Sequence, residues 1–92
     1  MVNRYVKKPA VIEAIQFDGT NFEEIREWAG CHFIQLEDGT FEVPTLEGNM
    51  HAAVGDYIIC GVKNDYYPCK PDIFDMTYWT YDEWYQNWRA SH

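Results

Sequence analysis

Ninety-two residues with 47% apolar and 17% aromatic content exclude a disordered chain and suffice for one domain, residues 1–92, with a modest core. Seven basic against fifteen acidic residues, a formal charge of -8, exclude a surface built to track phosphate backbones, which needs clustered Lys and Arg. No apolar run approaches the roughly 18 residues of a membrane-spanning helix. The opening Met1-Val2-Asn3-Arg4-Tyr5-Val6-Lys7-Lys8 lacks the apolar stretch of a signal peptide, so a cytoplasmic chain with no membrane partner is expected.

Val11 to Phe17, rich in β-branched residues and ending at Asp18-Gly19, reads as the first strand. Asn21 is expected to cap a helix, with Glu24 three residues on completing a capping box. Phe22, Ile25, Trp28 and Ala29 fall on one face at helical spacing, Glu23, Glu24 and Glu27 face water, and Gly30 supplies the left-handed stop. Next, Ile34 and Leu36, then Asp38-Gly39, then Phe41 and Val43 read as a hairpin closed by a two-residue turn. That turn would pair Leu36 with Phe41 and Ile34 with Val43, placing all four apolar residues on one face. Glu47-Gly48-Asn49 reads as a second turn leading into Met50, Ala52 and Val54. Tyr57 to Val62 is the expected most buried strand, and Asn64-Asp65 turns the chain into Tyr66-Tyr67-Pro68-Cys69. Pro68 cannot donate to a ladder, which places that strand at an edge. Lys70-Pro71-Asp72 breaks the pattern. A last helix opens with a Thr80/Glu83 capping box and carries Tyr81, Trp84, Tyr85 and Trp88 on one face. The expected fold is α+β. It is a meander of five to six short antiparallel strands, as a sheet or half-barrel, with one helix in the N-terminal half and an aromatic C-terminal helix over residues 79–92.

Catalytic signatures are weak, and no catalytic residue or cofactor is assigned. Cys31, Cys60 and Cys69 contain no Cys-x-x-Cys pair, which fits reduced thiols rather than a disulfide framework or zinc knuckle. Cys31, His32 and His51 lack the paired spacing of a zinc site, so no metal is expected, and His92 is terminal. Cys69 in Tyr-Pro-Cys-Lys has no histidine placed by sequence to act as its base. No Gly-rich phosphate loop is present. The acids are unevenly spread. From Glu13 to Asp56 there are ten, with Arg26 the sole base among them. Such a face either keeps the protein soluble or competes for the basic groove of a nucleic-acid-binding protein. Trp79, Trp84, Tyr85 and Trp88 supply large aromatic area within about ten residues, of the kind that closes a core or anchors an interface with a partner or a second copy.

The string from Val54 through Gly55-Asp56-Tyr57-Ile58-Ile59 to Tyr67-Pro68-Cys69-Lys70-Pro71-Asp72-Ile73-Phe74 resembles small uncharacterised proteins of phages and prophages in Gram-positive bacteria. Tyr5-Val6-Lys7-Lys8-Pro9, the Ile12-to-Gly19 strand and Pro44-Thr45-Leu46-Glu47-Gly48 resemble the same group, over residues 4 to 78. Val54 departs from the Pro often found before Gly-Asp-Tyr, and the tail from Trp79 onward extends beyond the resemblance. The resemblance implies phage origin and action in the host cytoplasm, and no reaction. The leading expectation is therefore a non-enzymatic protein that inhibits a host factor, such as an anti-CRISPR or other anti-defence protein. Its surfaces are the acids Glu23, Glu24, Glu27, Glu37 and Asp38 and the aromatics Trp79, Trp84, Tyr85 and Trp88. Homodimerisation is a second use of the aromatics, and no direct nucleic-acid contact is expected. One alternative is nucleotide sequestration, with Tyr57, Tyr66 and Tyr67 stacking a base and Arg4, Lys7, Lys8, Lys63 and Lys70 holding phosphates. The other is an accessory virion protein.

Overall fold

The computed structural model describes residues 2–5 and 10–91; Lys7, Lys8 and His92 lie outside the described residues. The fold is α+β, with six antiparallel strands in two three-stranded sheets. In chain order the elements are β1 (Glu13–Gln16), α1 (Phe22–Ala29), β2 (Ile34–Gln35), β3 (Phe41–Thr45), β4 (Gly48–Ala52), β5 (Tyr57–Cys60), β6 (Tyr66–Cys69), α2 (Pro71–Thr77) and α3 (Tyr81–Ser91). One sheet runs β1-β5-β6 and the other β2-β3-β4. The local meander is present, but β1 pairs with β5 far along the chain, with Ala14 opposite Ile59 and Ile15 opposite Ile58. That non-local pairing divides the expected single sheet into two.

The two sheets pack together where β6 meets β3 and β4. Between them lies a core of Phe17, Phe33, Phe41, Val43, Ala52 and Ile58, closed by Ile25 of α1. Phe41 is its hub. Its ring is 4.9 Å from Phe17, 5.1 Å from Phe22 and 5.4 Å from Phe33. The apolar stripe of α1 does what its spacing implies: Ile25 is fully buried and Phe22, Trp28 and Ala29 pack around it. Gly30 ends the helix at φ +64, donating its N–H to Arg26 O, because a residue with no Cβ adopts that conformation at little cost.

Four expectations are corrected. Asn21 stands at the head of α1 but makes no side-chain cap. Its Oδ1 accepts from Asp18 N and its Nδ2 donates to Gln16 O, so the side chain is spent on the β1–α1 turn and the Asn21/Glu24 capping box does not form. The first hairpin has a three-residue loop. Leu36 N donates to Thr40 O, Gly39 N donates to Leu36 O, and Gly39 sits at φ +87. Asp38 Oδ1 accepts from Thr40 N, which fixes the bulged loop. Ile34 therefore opposes Glu42 and Gln35 opposes Phe41. This slip of one residue turns β2 over: Phe33 is buried and stacks on Phe41, while Ile34 and Leu36 are only half-buried. The second turn is the pair Leu46-Glu47, with Thr45 opposite Gly48. Finally, Lys70-Pro71-Asp72 starts a helix instead of merely ending a strand. Pro71 occupies the first turn of α2, where its missing N–H costs nothing, so the C-terminal region holds two helices. Pro68 behaves as expected, because β6 ends its sheet.

Candidate partner-binding surface

α3 is the most exposed regular element. Its start is the capping box read from the sequence: Thr80 Oγ1 accepts from Glu83 N at 3.1 Å and donates to Glu83 Oε1 at 2.9 Å. Tyr81, Trp84, Tyr85 and Trp88 then stack along one face, with ring centroids 6.0 to 6.5 Å apart. None of its described residues is buried, and the molecule is drawn out to 49 × 34 × 23 Å. Trp79, Tyr81, Tyr85 and Trp88 are 60%, 60%, 40% and 47% exposed, and Trp84 is half-buried. Most of the aromatic tail therefore remains outside the core.

Beside this helix runs a cleft of about 820 Å³, whose walls include Val11, Ala14, Phe74, Trp79, Tyr81 and Trp84. The cleft lies on the α2 side of the β1-β5-β6 sheet. On that side Ala14, Tyr57, Ile59 and Tyr67 project, and Tyr57 stacks flat on Phe74 at 3.8 Å and 5°. Ile59 is fully buried there, outside the main core. Tyr67 lies in the same layer, where burial and the Tyr78 hydroxyl hold its phenol well above the ordinary tyrosine range.

Asp56 joins these layers. It is 2% exposed, and its Oδ2 accepts from Ala53 N and from Lys70 Nζ, both at 2.9 Å. Its backbone carbonyl accepts from Phe17 N at 2.8 Å. One residue thus fastens the β4–β5 turn, the end of β1 and the entry to α2. Cys69, at that entry, has its thiol pushed up by burial and by the nearby Asp56 and Asp72 carboxylates.

The acids chosen from the sequence are all exposed, but they occupy two elements. Glu23, Glu24 and Glu27 line the outer face of α1, where Glu23 pairs with Arg26. Glu37 and Asp38 sit in the β2–β3 loop, where Asp38 also accepts from the Thr40 hydroxyl and so is held below the usual carboxylate range. The acids lie on α1 and the β2–β3 loop and the aromatics on and just before α3, so the two surfaces belong to different elements. The nucleotide alternative fares differently. Tyr66 faces the core, edge-on to Trp28 at 5.3 Å; Tyr67 projects to the opposite side of the sheet, and Tyr57 is covered by Phe74. Lys63 is exposed in the β5–β6 loop, Lys70 is tied to Asp56, and Arg4 is exposed on the N-terminal segment. Tyr66 and Tyr67 border one shallow cleft beside Asp65 and Met50, and Tyr57, Lys63 and Lys70 do not line it. Cys31 is exposed and His51 Nε2 lies 2.8 Å from Thr40 Oγ1. Among the described residues no group of three or more His, Cys, Asp or Glu is arranged to hold a metal, and no helix is long and apolar enough to cross a membrane.

The sequence reading missed Asp56 as a buried anchor and Ala14 and Phe74 as cleft walls. The available signal was Pro71, a helix-opening residue set just after a strand. No protein-family model, curated protein or solved structure matches this chain.

Proposed function

We propose that this chain is a non-enzymatic binding protein that docks on another protein through the aromatic face of α3. The acids of α1 and the β2–β3 loop steer the encounter. The observation that carries the reading is the exposure of Trp79, Tyr81, Tyr85 and Trp88 in a chain whose core is small enough to have used them. Clustered aromatics at the surface cost a soluble monomer solubility and serve as anchors once desolvated by a partner. Charge works at longer range: an acidic surface raises the rate of encounter with a basic partner more than it tightens the final complex. The resemblance to phage and prophage proteins supplies the setting. The partner is a host protein met in the host cytoplasm, and the activity is inhibition, of the anti-CRISPR or wider anti-defence kind.

The test is capture from host lysate with the tagged full-length chain, followed by intact-mass analysis of the eluate. A host protein in stoichiometric amount is expected with the wild type and absent with the Trp84→Ala/Trp88→Ala pair. In purified complex, Glu23→Lys/Glu24→Lys/Glu27→Lys should slow association and flatten its salt dependence, with dissociation unchanged. An eluate carrying only a nucleotide would replace this reading with sequestration, and recovery of the chain in purified virions would replace it with an accessory role.

A further inference from the structure

The β1 edge of the cleft has an unused row of hydrogen-bonding groups. β1 ends its sheet and pairs on one side only, with β5. The bond from Phe17 N to Asp56 O sets the alternation, since every second residue of an antiparallel strand faces its partner. Phe17, Ile15 and Glu13 therefore direct their N–H and C=O groups toward β5, and Gln16 and Ala14 direct theirs outward. The Gln16 carbonyl confirms this phase by accepting Asn21 Nδ2 at 2.8 Å. Among the described residues nothing pairs with the outward groups of Ala14, and Ile12, next in the alternation, also borders the cleft. Trp79, Tyr81 and Trp84 line the same cleft. The cleft thus combines a strand whose outward backbone groups are unpaired with an aromatic wall. Its charge has one sign, for Asp75 and Glu83 line it and no Lys or Arg does among the described residues.

We propose that the cleft binds an extended segment of a partner protein, which adds as a strand to β1 and turns apolar and basic residues to the cleft at every second position. This deepens the aromatic docking reading and rests on it for the identity of the wall. Each feature of the cleft selects one property of the occupant. An unpaired strand edge about 4.8 Å from its next neighbour position selects extended backbone. The aromatic wall of the cleft selects apolar side chains at every second residue. Asp75 and Glu83 line the same cleft, so they select Lys or Arg at further positions of that same every-second set.

The probe is a synthetic fluorescent peptide with Val, Tyr and Lys at every second position and Thr between them, titrated against the full-length chain by anisotropy, with amide and indole shifts followed by NMR. Three controls accompany it. One peptide has Glu for Lys, one is N-methylated at alternate amides to abolish strand addition, and the protein variant is Ala14→Pro. Proline at position 14 removes an N–H that β5 does not use, so the fold is retained while the outward row is broken. Expected results are saturable binding of the Lys peptide with shifts at Ile12, Ala14 and Trp84. Affinity should fall at least tenfold for the Glu peptide, the N-methylated peptide and Ala14→Pro.

Absence of saturable binding by the Lys peptide, or equal binding by the N-methylated peptide, overturns strand addition. The N-methylated peptide reports on this even if Ala14→Pro does not fold. Dimerisation of the wild type by light scattering, lost in Ala14→Pro, overturns it in favour of a second copy. The two readings fail separately. A host protein captured by Ala14→Pro but not by the α3 tryptophan pair retains aromatic docking and rejects strand addition. Peptide binding without any captured protein retains the cleft and rejects the inhibitor reading.

Discussion

Removing the Asp56 carboxylate tests how the layers are fastened. Asp56→Ala deletes two charge-assisted hydrogen bonds, to Ala53 N and to Lys70 Nζ, and their fates differ. The Lys70 side chain is 55% exposed and its partner 3%, so the freed ammonium returns to water and its share is that of a surface pair, about 0.2 to 1 kcal/mol. The Ala53 N–H lies in a tight turn that Asp56 N also closes, by donating to Ala53 O at 3.0 Å. Leaving it without its carboxylate costs roughly 1 to 3 kcal/mol. The expected loss for Asp56→Ala is therefore about 1 to 4 kcal/mol, and Lys70→Met, which leaves the buried Asp56 carboxylate without its counter-charge, costs about 1 to 3 kcal/mol. Urea unfolding followed by far-UV circular dichroism measures both. With a slope of about 1 kcal/mol/M, the low end for a small domain, Asp56→Ala lowers the midpoint by about 1 M or more. The double variant gives the coupling energy directly. A loss below about 0.5 kcal/mol for Asp56→Ala, the range of an ordinary surface substitution, would refute the anchoring role. A double variant no less stable than Asp56→Ala alone would show that Lys70 acts only through the Asp56 carboxylate.

Three other outcomes are expected. Tyr67 has a folded pKa above its unfolded value near 10, so its contribution is complete below about pH 10 and is lost as pH rises toward the folded value. Melting temperatures between pH 9 and 11.5 should fall less steeply for Tyr67→Phe than for the wild type, and parallel slopes would contradict this. Gly39→Ala should cost about 1 to 2 kcal/mol in urea unfolding, because φ is +87 there and an L side chain is strained in that region; a neutral result would mean that the loop is not the bulged three-residue form. In native protein at pH 8, maleimide labelling with peptide mapping should modify exposed Cys31 first and buried Cys60 last, with Cys69 slowed by its raised pKa. Labelling of Cys60 at the rate of Cys31 would contradict the burial of β5.

Much of the local structure was legible because local physics decides it. The spacing of Phe22, Ile25 and Trp28 needs any apolar partner to make α1, and Gly30 ends that helix by its own backbone freedom. Thr80 and Glu83 cap α3 using atoms within three residues. Pro68 marks an edge whatever its neighbours are. The exposed tail was half legible: the sequence shows one aromatic face and leaves open whether a core lies beneath it.

What only the tertiary structure decided depends on atoms distant in sequence. The two-residue turn written by Asp38-Gly39 gives way to a bulged loop, and this buries Phe33 against Phe41 in place of Ile34 and Leu36. Asn21 satisfies the turn before its helix instead of the helix itself, a competition between two nearby sets of backbone groups that composition does not settle. Tyr66 and Tyr67 are adjacent and both aromatic, yet strand alternation sends one to Trp28 and the other to the α2 layer. Asp56 looked like one more solvated acid until folding placed Ala53 N and Lys70 Nζ at its carboxylate. The open edge of β1 follows from its pairing with β5, across more than forty residues of chain. The α1 stripe, its Gly30 stop and the Thr80/Glu83 cap answer to neighbours a few residues away, so the sequence determined them. Register, burial and the cleft answer to whichever distant strand arrives, and that is settled only when the chain has folded.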